Sequence, residues 1–202
     1  MKLTVNEKNY QFDNDIQVLN DMSAKINQEI EGSGLFFSHF LIDGELVYEG
    51  YEDYFIQHIQ TINSVEVILL STKEMLNGLL LSFEQYLVNA SPEINQLVQD
   101  FYQNPTAESW LQFERLLEGI QWIAEVVTTI DKHENDIKSW DEYLKAIAQL
   151  QVELQQLMEA LENKDSVLLA DILQYEIIPI FDLLKKLTTE TIDEQFERKG
   201  IS

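Results

Sequence analysis

The hydrophobic pattern of this chain changes period once, at Ser71. Before it, short β-branched and aromatic runs stand between turn residues and two helix-length segments. After it, apolar residues recur only at spacings of three and four. A strand buries every second residue and a helix roughly every third or fourth, so the two patterns need different partner layers. The expected fold class is therefore α+β, with a small mixed unit over residues 1–71 and an antiparallel helical bundle over residues 72–202.

In the first unit, Leu3-Thr4-Val5 and Tyr10-Gln11-Phe12 are β-favouring runs on either side of the polar turn Asn6-Glu7-Lys8-Asn9. Ile16, Leu19, Met22, Ile26 and Ile30 follow helical spacing, and Gly32-Ser33-Gly34 ends that helix, which the spacing predicts over Asp15 to Glu31. Asp43-Gly44 tolerates the positive φ of a tight hairpin turn and should pair Phe36–Ile42 with Glu45–Tyr48. Tyr51 to Ile62 reads as a short helix, and the apolar run Val65–Leu70 as a buried strand.

The resulting order, ββαββαβ, resembles the β-grasp or ubiquitin-like fold in element order and spacing. The resemblance covers residues 1–71 alone. A ubiquitin ends in a flexible Gly-Gly tail, whereas Leu70-Ser71 here runs into a helix, so conjugation chemistry is not implied. What the resemblance implies is a domain that presents its sheet face to partners, a type also found among bacterial secretion components.

Downstream, Ser71-x-x-Glu74 and Ser139-x-x-Glu142 read as capping boxes, Ser91-Pro92 as a cap before a first-turn proline, and Thr106 and Asp165 as further caps. Three apolar stripes follow. The first is Met75, Leu79, Phe83, Tyr86; the second is Phe113, Leu116, Ile120, Ile123, Val127, Ile130. The third, Trp140, Tyr143, Ile147, Leu150, Leu154, Leu157, Leu161, alternates spacings of three and four as in helices that cross at a shallow angle. From Val167 to Leu187 apolar residues cover more than one helix face, which predicts a central position in the bundle, with a kink at Pro179.

Composition narrows function more than fold. The 36 acidic residues against 13 basic ones give a formal charge of −23, which repels nucleic-acid backbones and anionic membranes. The absence of cysteine removes thiolate chemistry and disulfides. With no membrane-length apolar run and no apolar leader, the expected location is cytoplasmic.

His39, His58 and His133 form no metal-ligand spacing, and structural roles on a strand, a short helix and a loop are expected of them. Asp131, Asn135 and Glu142 occupy positions of a calcium loop, but His133 and Asp136 stand where an oxygen ligand and a glycine are needed. No metal or cofactor is expected. Trp110, Trp122 and Trp140 read as bundle packing, and the acidic pairs as solvated surface. No nucleotide or hydrolase motif occurs, so no catalytic residue is assigned.

One segment stands out for binding: Tyr48, Tyr51 and Tyr54 lie among acids, and tyrosine supplies contact area with few rotors, although the favoured role of Tyr48 and Tyr54 is to roof the small core. The expectation by elimination is a non-enzymatic protein-binding adaptor, scaffold or chaperone-like protein, with a homodimer through a bundle helix as a further expectation. The alternatives are an enzyme or small-ligand protein with an unfamiliar site, and an acidic mimic of nucleic acid.

Overall fold

Residues 1–133 and 137–198 are described in a computed structural model of the chain. The chain divides into two compact units, Met1–Met75 and the remainder from Leu76.

The first unit contains a five-stranded sheet in the order β2-β1-β5-β3-β4. β1 (Lys2–Val5) and β2 (Lys8–Gln11) are antiparallel, and Asn6 and Glu7 between them both take positive φ. The turn is thus two residues rather than four, and Lys8 and Asn9 belong to the strand. β3 (Leu35–Ile42) and β4 (Glu45–Val47) pair around Asp43-Gly44, where φ is 49° and 90°. Central β5 (Ser64–Ser71) runs parallel to β1 and antiparallel to β3. A sheet of this order with helices following it is compatible with a β-grasp-like arrangement.

The first helix opens with a 3-10 turn, Ile16–Val18, in which Asp15 accepts from the Gln17 amide, before α1 (Leu19–Ile30). α2 (Tyr51–His58) stops short of the expected Ile62, and its end is held by Asn14, whose Nδ2 donates to the carbonyls of Ile59 and Ile62 at 2.8 and 2.6 Å. Leu3, Val5, Phe40, Ile42, Val65 and Val67 bury one sheet face together with Met22, Ile26 and Phe55.

Asp43 locks the hairpin turn to the start of β5. Its carboxylate accepts from the amides of Asn63 and Ser64, the latter at 2.7 Å, and from Ser64 Oγ. These bonds hold its pKa below the usual carboxylate range.

The second unit is a helical bundle. α3 (Thr72–Gln103) begins with the expected capping box: Glu74 accepts from the Ser71 amide at 2.8 Å and Ser71 Oγ faces the Glu74 amide at 3.3 Å. It then continues through Ser91-Pro92, where a new helix start was expected. Ser91 Oγ turns back to donate to the Leu87 carbonyl instead of capping forward, and the carbonyl that Pro92 leaves without its helical donor belongs to exposed Val88. Thr106 caps α4 (Ala107–His133) with Ser109 in the reciprocal role. His133 therefore ends a helix and is not in a loop.

α5 (Trp140–Glu162) lacks its expected capping box. Ser139 adopts a left-handed φ of 61°, its side chain makes no cap bond, and the Glu142 amide reaches only its carbonyl. Asp165 does cap α6 (Ser166–Ile172), accepting from Leu168. A π turn, Leu173–Ile177, then joins α6 to α7 (Ile178–Gln195). The extra residue lies just before Pro179, whose fixed φ and missing N–H suit the first turn of the following helix, so a π turn stands where the proline interrupts the helix. Leu169, Ile172, Leu173, Ile177, Ile180, Phe181 and Leu184 are buried, whereas Val167, Leu168 and Leu183 stay exposed, so the segment buries part of its apolar surface and not all of it. No helix among the described residues is long and apolar enough to cross a membrane.

Candidate functional site

β3 carries a bulge between Phe37 and His39, where it pairs with Leu69 and Ile68 of β5. An extra residue reverses the alternation of faces. Phe37 and Phe40, three apart, therefore lie on the same side, with ring centroids 4.8 Å apart. The Tyr51 ring meets both edge-on, at 5.9 and 5.2 Å.

These rings floor an open groove of about 460 Å³. Leu19, Met22, Ser23, Ile26 and Ile30 of α1 form one wall, and Tyr51, Glu52, Phe55 and Ile56 of α2 the other. Phe37, Tyr51 and Ile56 remain exposed, Ile56 by 54%. Glu52 is the one ionisable carboxylate among the described residues lining it. The groove floor is apolar, and Glu52 supplies the charge at its wall.

Of the three tyrosines singled out from sequence, the structure puts Tyr51 in this groove. Tyr54 packs against the core and donates to Glu45 at 3.0 Å, a bond that raises the pKa of its hydroxyl. Tyr48 stacks on His39 at 4.4 Å. His39 neighbours core-facing Phe40 along the strand, so it belongs to the other sheet face. Phe37, Leu19 and Ile56 were not foreseen as site residues. The odd spacing of Phe37 and Phe40 was the available signal, because two aromatics three apart in a strand share a face only across a bulge.

Elsewhere, charged groups are engaged in pairwise bonds. Glu29 accepts from Lys8 at 2.7 Å and Tyr10 at 2.5 Å, which lowers its pKa to about 2. Glu84 accepts from Arg198 at 2.8 Å and from Thr189 at 2.5 Å, and is held low chiefly by the guanidinium. The Tyr102 hydroxyl donates to Asp171 and is pushed up to about 12. Glu153, 7% exposed on α5, accepts from Gln156 at 2.6 Å; burial, reinforced by the charge of Glu176, raises its pKa.

The three tryptophans are half-buried against neighbouring rings, Trp110 on Phe101, Trp122 on Tyr86 and Trp140 on Tyr143. No cluster of three or more His, Cys, Asp or Glu among the described residues could hold a metal ion. Asn135 and Asp136 of the calcium-loop spacing lie outside the described residues.

Residues 78–187 match the family model described as Domain of unknown function (DUF8042). Residues 1–71 match the one described as TP0873 N-terminal domain. No curated protein and no solved structure matches the chain.

Proposed function

The chain belongs to the family described as Domain of unknown function (DUF8042), and we propose that it is a non-enzymatic, cytoplasmic protein-binding adaptor, scaffold or chaperone-like protein whose ubiquitin-like first unit holds a partner in the groove between α1 and α2. In the same reading a bundle helix joins two copies. The observation that carries the proposal is the groove itself: Phe37, Tyr51 and Ile56 remain exposed over an aromatic floor, with Glu52 at the wall. Exposed aromatic anchors beside the Glu52 carboxylate suit an amphipathic helix that inserts apolar side chains and sets a Lys or Arg against Glu52. A catalytic site would instead bring several polar groups together on one reacting atom.

The volume of about 460 Å³ also falls in the range of small-ligand pockets, which keeps a small apolar ligand as the second reading. The deciding experiment is affinity capture from native lysate with wild type, Ile56→Asp and Tyr51→Ala in parallel. Ile56 and Tyr51 are exposed, so both variants should fold. A protein held at high salt by wild type and lost by both variants supports the adaptor reading. A partner retained equally by all three sinks the groove, and recovery of small molecules alone favours the second reading.

A further inference from the structure

The residues that follow α7 are fastened to α3 by side chains and hardly at all by main chain. Phe196 closes α7 with its amide on the Ile192 carbonyl and is itself extended, at φ −128° and ψ −172°. Beyond it, the Glu197 amide donates to Asn77 Oδ1 at 3.2 Å, and among the described residues neither Glu197 nor Arg198 makes a backbone–backbone bond. Arg198 adds the strongest contacts. Its Nη1 and Nη2 fork onto the two oxygens of Glu84 at 2.8 and 3.2 Å, and its Nε donates to Asp193 at 2.6 Å. Thr189 Oγ1 donates to the same Glu84 carboxylate and orients it for the planar guanidinium.

Just upstream, the end of α7 has a separate anchor. Lys138 donates from Nζ to Glu194 at 2.8 Å and from its amide to Gln195 Oε1 at 3.0 Å. The anchor and the Arg198 contacts lie on opposite sides of Phe196, so residues 196–198 have an extended hinge and can move without unwinding the helix. The Arg198–Asp193 pair is about half exposed on both sides, and such pairs are weak and screened by salt. The Glu84 side chain is only 16% exposed, so its two-pronged pair with Arg198 carries most of the hold. A segment with one main-chain bond and one strong ion pair opens at the low end of the free energies a fold spans.

We propose that residues 196–198 are a strap that opens and closes on α3 while the bundle stays folded, with Arg198 as its catch on Glu84. Opening takes the shared cation from Glu84 and Asp193 and the main-chain donor from Asn77, which is 8% exposed when the strap is shut. The strap therefore gates access to a carboxamide and two carboxylates on one side of the bundle.

Trypsin takes an arginine only when its guanidinium is free to enter the protease's own acidic pocket, so cleavage after Arg198 reports the open strap. The full chain and a free peptide of residues 193–202 are digested in parallel and followed by intact mass. Wild type should be cut about tenfold or more slowly than the peptide. Glu84→Gln keeps Arg198 but removes the charge that holds it, and should be cut at least about fivefold faster than wild type, with unchanged helical circular dichroism. Glu190→Gln removes the same charge from an exposed α7 position paired with Lys186, and should be cut like wild type. Raising salt from about 0.01 M to about 1 M, which shortens the screening length from about 30 to about 3 Å, should speed the cutting of wild type relative to the peptide. Global unfolding would respond in the opposite sense, because screening stabilises a chain of net charge −23. A wild type cut as fast as the peptide overturns the proposal. So does a Glu84→Gln chain cut at the wild-type rate, a Glu190→Gln chain cut as fast as Glu84→Gln, or a wild type indifferent to salt, which would place the hold in Phe196.

Discussion

Tyr86 occupies the space that a side chain at position 119 would need. A Cβ on Gly119 would lie 1.6 Å from the Tyr86 hydroxyl oxygen and 2.4 Å from Cζ. The ring would have to give up its contacts with Trp122 at 5.4 Å and Phe181 at 6.4 Å to make room; burial pushes its hydroxyl pKa up to about 12. Alanine normally gains roughly 0.5–1 kcal/mol over glycine within a helix. Overpacking here costs about 1–3 kcal/mol and reverses the sign. Chemical denaturation should therefore show Gly119→Ala destabilised, and adding Tyr86→Leu should recover part of the loss. Glu153 makes the opposite kind of prediction. Its folded pKa is raised, so the carboxylate weakens the fold above its unfolded value, and that loss fades as pH falls. Glu153→Gln should thus raise the melting temperature at neutral pH, with the gain shrinking as pH falls through the raised folded pKa and absent below pH of about 4.

At the scale of elements, the helices test how far local rules reach. Ser71-Glu74, Thr106 and Asp165 cap as their spacing predicts, whereas Ser139 takes a left-handed backbone and Pro92 sits inside α3. Pro92→Ala would restore a hydrogen bond to the Val88 carbonyl. It should stabilise the bundle by about 1 kcal/mol, below the ~3 kcal/mol of a buried proline defect, because water can reach that exposed position. A guanidinium titration would read the change. The second hairpin was legible because Asp43-Gly44 marks its turn locally, whereas the polar run Asn6-Glu7-Lys8-Asn9 placed the first turn without fixing its length. Of the stripe expected on α3, Phe83 is buried, whereas Met75, Leu79 and Tyr86 are half-buried beside the buried Leu76, Leu80 and Leu87, since adjacent apolar columns leave the inward one undecided. On α5, the expected stripe straddles two faces, and Leu154 and Leu161 are only half-buried. Of the groove, Tyr51 alone was foreseen. Its floor depends on the bulge in β3, a pairing event between distant segments that no local pattern encodes.

For the whole molecule, charge is the dominant long-range quantity. The excess of acid is 12 against 3 basic residues in positions 1–71 and 24 against 10 beyond them. Ion pairs such as Lys138–Glu194 and Lys186–Glu190 are exposed and contribute little. Repulsion therefore outweighs pairing. Raising ionic strength from about 0.01 M to about 0.15 M, which shortens the screening length from about 30 to about 8 Å, should raise the melting temperature by calorimetry. The strand order has a consequence of another kind. β5 lies between β1 and β3, yet it is the last strand to be made. While the ribosome is still upstream of Ser64, the nascent chain can pair β1 with β2 and β3 with β4 but has no strand to join the two pairs. Completion of the sheet is thus timed by synthesis of eight residues, Ser64–Ser71, and the next codons already specify the start of α3.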